Sequence, residues 1–236
     1  MSDTDRFNNS LVQLFSGKSL DGFTEGKNII AYIKGKKYAD SFIVISTHYD
    51  HLGKKGDGTT YYGADNNASG VACLLALAKY YSKNQPAYSI IFTAFDREET
   101  GLEGADYFVS HLPQGVKQEN IKLNLNLDMI ARSDKNEIYA CGLKHYPALA
   151  FAVDEVKTKT TVQLLAGHDS GSFQDDWTNQ SDHYIFHKAH IPFLYIGVED
   201  HADYHQPSDT VDKINYSKYI ENCNMILMLA NALQSK

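Results

Sequence analysis

Tryptophan occurs once, cysteine three times and proline five times in this 236-residue chain. The three cysteines, Cys73, Cys141 and Cys223, are an odd set without the close pairing of a metal knuckle or redox motif. They are read as buried free thiols, which excludes a disulfide framework. No Pro-rich or Gly/Ser-rich stretch offers a linker, so a single domain over residues 1–236 is expected, with residues 1–26 an irregular, polar, Gly-punctuated N-terminal segment. No uncharged apolar run reaches the roughly 18 residues of a membrane span. The opening MSDTDRFNNS lacks the basic and apolar regions of an export signal. Basic runs are missing too, and 22 Lys and Arg against 29 Asp and Glu leave a formal charge of −7, which argues against a nucleic-acid surface. HExxH is absent, which removes a helical zincin, and so is GxSxG, which denies a serine hydrolase its nucleophile elbow.

What is present is an ordinary globular balance of 43% hydrophobic and 22% charged residues, enough to exclude disordered and fibrous classes. Apolar runs at residues 28–35 (NIIAYIKG), 41–47 (SFIVIST), 88–95, 121–127, 136–142, 161–167 and 191–198 predict strands. Helical spacing predicts helices over 69–83, 102–111, 147–159 and 214–233, the first capped by Asn67 or Ser69. Strand and helix alternate, which is the pattern of an α/β fold. Between them, GHDSGSFQDDWTNQS (167–181) reads as a long polar loop, a kind that is often functional in a compact domain.

Ligand-type side chains close several of these runs. His48 ends the strand before it, Glu98 and Glu99 follow Phe95, and Asp128 closes IKLNLNLD, so three strands deliver such residues at their carboxyl ends, the edge where open α/β sheets place their sites. Each alone has a plainer reading. His48 could be a polar residue at a sheet edge, Asp65 a helix cap, and Glu98 with Glu99 a solvated helix start, as Glu103 is read. Together with Asp65 and His205 they make two imidazoles and three carboxylates, a donor set that suits two adjacent zinc ions with water between them. Asp65, in the small-residue loop GADNNASG, is the natural bridge. Adjacent residues in extended backbone face opposite ways, so Glu99 can ligate while Glu98 addresses the water as base. Asp50, two residues past His48, can accept the proton of its free ring nitrogen. His183, His187 and His190 are read as surface or core residues, and His51 and His201 as loop hydrogen-bonding ones.

In this order, HYD, GADNNASG, the EE pair of DREETGLEG, LDM and YHQPSDT resemble the two-zinc aminopeptidases of metallopeptidase clan MH, among them bacterial leucyl aminopeptidases, which share a fold with glutamate carboxypeptidase and glutaminyl cyclase. The resemblance runs from about Asn28 to the C-terminus. It implies a three-layer sandwich, a mixed, mostly parallel twisted sheet with helices on both faces, and an exported (periplasmic or secreted) exopeptidase acting on peptides with a free N-terminus. It further implies two Zn2+ ions: His48 and Asp128 on one, Glu99 and His205 on the other, Asp65 bridging, Glu98 as general base, and Tyr204 donating to the developing oxyanion. Asp50 and Asp182, the latter in an SDH motif, would support the ligands from behind. Many relatives carry Asp where this chain has Asn66. The alternatives are a glutaminyl cyclase-like aminoacyltransferase with one zinc, and a catalytically inactive binding module. Phe173, Trp177 and Tyr184 are candidates to line the substrate pocket, with core packing as the plainer reading.

Overall fold

The computed structural model describes residues 12–18, 25–133, 135–169 and 176–235. Eight strands, β1 (Val12–Lys18), β2 (Glu25–Ile33), β3 (Tyr38–His48), β4 (Tyr88–Phe95), β5 (Ile121–Leu127), β6 (Glu137–Cys141), β7 (Gln163–Ala166) and β8 (Phe193–Gly197), form one sheet in the order β1-β2-β4-β3-β5-β8-β6-β7. The central block β4-β3-β5-β8 is parallel throughout, with antiparallel β1, β2 on one side and the β6, β7 pair, antiparallel to β8, on the other.

Both faces of the sheet are covered. Helices α1 (Gly70–Tyr81), α3 (Ala150–Lys157) and α5 (Tyr216–Ala232) pack through Leu74, Leu77, Val153, Met225 and Leu229 against Ile43, Ile45 and Leu125. Helices α2 (Glu103–Ser110) and α4 (His183–Lys188) bring Phe108 and Phe186 to the opposite face, against Phe42, Val44 and Ile91. A strand buried on both sides reads as a continuous apolar run, which is why residues 41–47 carry little alternation. This is the mixed α/β sandwich expected.

The alternating polar residues of β5 depart from a half-exposed strand. Asn124 and Asn126 are both fully buried, and they form a ladder: Asn124 Nδ2 donates to Ser46 Oγ (2.7 Å), Ser46 Oγ donates to Asn126 Oδ1 (2.6 Å), and Asn126 Nδ2 donates to Ser181 Oγ (3.1 Å). The ladder ties β5 to β3 and to the turn that opens α4.

Three expectations need correction. Part of the N-terminal stretch read as irregular is strand, because β1 pairs along the open edge of β2 through backbone bonds, which need no amphipathic pattern, and β2 begins at Glu25 rather than at 28. Helix α4 was hidden behind the polar loop, since it is only six residues long and its buried side includes His183. The predicted helix at 147–159 opens with a 3₁₀ turn, Pro147–Leu149, before α3. The loop reading for 167–181 lies partly outside the described residues, as do the opening residues of the chain. Among the described residues no helix is long and apolar enough to cross a membrane.

Candidate metal centre and active site

The four central parallel strands bring the chemistry together at their carboxyl ends. His48 is the last residue of β3, Glu98 and Glu99 follow β4, Asp128 follows β5, and His201, Tyr204 and His205 follow β8. The chain turns sharply around these residues: Arg97 (φ 61°), Met129 (φ 53°) and His205 (φ 54°) all occupy the left-handed region without being glycine. Backbone of that kind costs about 1–3 kcal/mol per residue and collects where a side chain must be aimed.

Asp65 is placed by a different device, the Ala64–Ser69 turn that leads into α1, in which the Asn66-Asn67 peptide is cis. The buried carboxylate of Asp209 accepts the backbone N–H of Asp65 (3.0 Å) and of Asn66 (3.1 Å). Asn67 fastens the turn to the sheet, donating to Thr47 Oγ1 and the Leu127 carbonyl while its Oδ1 accepts from Gly70 N and Met129 N. It therefore serves as the cap of α1, whereas Ser69 Oγ bonds back to the Asp65 carbonyl. Gly63 has φ 61°, and a Cβ there would meet the Asn66 carbonyl and the His51 ring, so this corner accepts glycine alone.

The predicted ligands fall into pairs. His48 Nε2 lies 3.3 Å from Asp128 Oδ1, and His205 Nε2 lies 3.1 Å from Glu99 Oε2. His48 Nδ1 faces the Asp50 backbone carbonyl at 3.1 Å, a group that only accepts, so the ring hydrogen sits on Nδ1 and Nε2 presents a lone pair to a carboxylate oxygen. Two lone pairs held face to face require a cation between them, a proton or a metal. Two ligands about 2.1 Å from one tetrahedral ion would stand about 3.4 Å apart, close to both separations. The residues present thus fit a zinc-type ion.

Among the described residues, no hydrogen bond or ion pair joins the Asp65 carboxylate to those four side chains. Its Oδ1 accepts from Ala131 N (2.8 Å), its Oδ2 lies 3.2 Å from His201 Nε2, and its neighbour Asn66 reaches Glu99 Oε1 through Nδ2 (3.3 Å). His51 joins the other pair: His51, Glu99 and His205 place ligand atoms within 4.8 Å of one another, with His51 Nδ1 at 2.9 Å from Glu99 Oε1. His51, His201 and Asp209 are thus part of the site, and their only advance signal was position, inside HYDH, just ahead of YHQ and inside YHQPSDT.

Asp50 has a broader role than partner to His48. Its carboxylate accepts the backbone N–H of Glu98 (3.1 Å) and Glu99 (3.2 Å), with His48 Nδ1 at 3.5 Å, so it sets the backbone from which the two glutamates diverge. Glu99 turns to the histidines. Glu98 turns into a cavity of about 200 Å³ that Asn66, Asp128, Trp177, Tyr195 and Tyr204 also line. Burial pushes the Glu98 carboxyl up to about 9; His48 opposes that rise, and the charges of Asp128, Asp182 and Glu99 add to it. Asp182 is wholly buried, neither of its oxygens has a hydrogen-bond partner among the described residues, and burial pushes it up to about 8. Tyr204 stacks on the His205 ring, centroids 4.0 Å apart, and its hydroxyl is raised, chiefly by burial. Of the aromatic candidates for the pocket, Trp177 lines the cavity, Tyr184 lies under the Lys188 ammonium, and Phe173 is outside the described residues.

Residues 28–230 match Peptidase family M28. The chain belongs to that family. Among curated relatives of this M28 chain is aminopeptidase YwaD of Bacillus subtilis, 29% identical over 207 residues that cover 83% of this chain and 42% of the relative. The solved zinc aminopeptidase BSAP, also from Bacillus subtilis, superposes with a TM-score of 0.74 at 23% identity, covering 90% of this chain and 51% of that one. Porphyromonas gingivalis glutaminyl cyclase does so with a TM-score of 0.72 at 20% identity, covering 95% and 84%. At such identities the two structures establish the fold and no more. The M28 chain spans less than two thirds of the length of the curated relatives it matches.

Proposed function

We propose that this M28 chain is a zinc-dependent aminopeptidase that holds two zinc ions and removes N-terminal residues from peptides. The observation that carries the reading is the pair of imidazole–carboxylate contacts, His48 with Asp128 and Glu99 with His205, with Asn66 of the turn that presents Asp65 reaching Glu99. In this reading His48 and Asp128 hold one ion, Glu99 and His205 the other, and Asp65 is shared. Bound zinc supplies water activation at neutral pH and polarisation of the scissile carbonyl.

The remaining work belongs to side chains. Glu98, buried at the cavity wall, takes the proton of the attacking water and delivers it to the departing amine; cations held beside it would favour its ionised form, the one able to accept. Tyr204, beside the metal ligand His205, donates its O–H to the oxyanion. Carboxylates of Glu98, Asp128, Glu199 and Asp200 line the cavity, a setting suited to the ammonium of a free N-terminus.

Release of a chromophore from aminoacyl substrates, measured with and without a chelator alongside metal analysis, tests this directly. Two zinc equivalents and activity lost on chelation and restored by zinc are expected; activity that survives complete metal removal sinks the proposal. Glu98→Ala should keep its metal and lose about 10²–10⁴ of turnover, the range of a general base, while His205→Ala should lose metal. Glutaminyl cyclase chemistry on the shared fold would instead show one zinc and ring closure of a glutamine-led peptide.

A further inference from the structure

We propose that His201 is a positioning residue for the Asp65 carboxylate: a fixed Nε2–H donor, held from behind by Arg132, that orients the shared acid and is itself kept out of the metal-binding set. This inference rests on the two-metal reading above. Its argument is the direction of each hydrogen bond around the ring. His201 Nδ1 lies 3.2 Å from Arg132 Nη1 and 3.2 Å from the backbone N–H of Asp203. A guanidinium and an amide nitrogen have only hydrogens to offer, so both point at a lone pair on Nδ1. A neutral imidazole then carries its one hydrogen on Nε2, which lies 3.2 Å from Asp65 Oδ2. A nitrogen that carries a hydrogen cannot ligate a metal.

The clamp is itself fixed. Arg132 Nη1 also donates to Asp203 Oδ2 at 2.8 Å, and Asp203 receives the Ser208 hydroxyl and the Lys213 ammonium. His48 in the same centre has the reverse tautomer, because its Nδ1 faces an acceptor. Two histidines within one site are thereby assigned different tasks by what stands behind them.

The effect falls on Asp65. Its carboxylate is wholly buried and receives one donor on each oxygen, Ala131 N on Oδ1 and His201 on Oδ2, which leaves a further lone pair on each for a cation. Donors that orient a ligating group in this way typically contribute about 10- to 100-fold in metal affinity.

The test uses the full chain and zinc alone, titrated in competition with a chromophoric chelator, with ¹⁵N NMR of the histidine rings of the metal-free protein as a second readout. His201→Phe is expected to bind zinc about 10- to 100-fold more weakly. His201→Gln, which can still donate from an amide, is expected to recover most of that loss. In the wild type the His201 ring should show a protonated Nε2 and a bare Nδ1, and Arg132→Met should produce a mixture of tautomers. A wild type that binds two zinc ions together with a His201→Phe protein that binds them equally tightly overturns the inference alone. So does direct coupling of His201 Nε2 to bound ¹¹³Cd. A wild type that takes up no zinc overturns the metal reading and this role with it. Should His201→Phe fail to fold, the wild-type and Arg132→Met ring spectra still decide the tautomer.

Discussion

Glu98 and Glu99 are neighbours in sequence with opposite surroundings, and their divergence traces to Asp50, whose two oxygens hold the two backbone N–H groups. Glu99 meets His51 and His205, while Glu98 is buried with acids nearby and its carboxyl rises from an ordinary 4.5 to about 9. The sign of the consequence follows from proton counting. Without metal the folded chain keeps a proton on Glu98 that the unfolded chain gives up, so this group's contribution to stability is fully present below about 4.5 and is lost as pH rises toward 9. Chelated wild type should therefore lose thermal stability between pH 5 and pH 9 more steeply than chelated Glu98→Gln, as followed by circular dichroism. Equal slopes would show that Glu98 is not titrating in that window. His48, Glu98, Glu99 and Asp128 could be read in advance because each closes an apolar run or stands within a few residues of its end. His51, His201 and Asp209 sit among other polar residues in loops, where a solvated side chain looks the same as one turned inward to a ligand.

At the scale of the element, β5 carries the most information per residue. Leu123, Leu125 and Leu127 meet the α1 and α5 side, while Asn124 and Asn126 carry hydrogen bonds toward β3 and Ser181. Its limits, and those of β4, were readable to the residue from the apolar pattern. The burial of its asparagines was not, because alternation in a sequence marks two faces without saying what covers the second. The ladder predicts a cost. Asn126→Ala removes the acceptor of the Ser46 hydroxyl hydrogen and the donor to Ser181 Oγ, leaving Ser46 held only by the bond it accepts from Asn124, and should destabilise by about 1–3 kcal/mol. For a chain of this size that lowers the melting temperature by about 2–12 °C. Calorimetry checks it, and an unchanged melting temperature would mean that water replaces the lost bonds. The edge strand β1 and the short helix α4 escaped for the same kind of reason: one is held by backbone pairing, the other is too brief to establish a period.

Across the whole molecule, the site gathers groups from the ends of β3, β4, β5 and β8, from the Asp65 turn, and from Asp209 far along the chain. Two ions gripped there would join strand ends at which Glu98, Glu99, Asp128 and Asp182 stand near one another, with the His48 and His205 rings placed against Asp128 and Glu99. Binding to the folded state alone stabilises it by about 2.7 kcal/mol when free zinc is one hundred times the dissociation constant. Chelation should then lower the melting temperature by about 5–11 °C, measured at one pH and protein concentration. His205→Ala should show a much smaller drop, since one ligand pair is already broken. Wild type that surrenders its zinc and melts at the same temperature would mean that the acids are held together by the protein and its protons alone, and that metal is not what joins the strand ends.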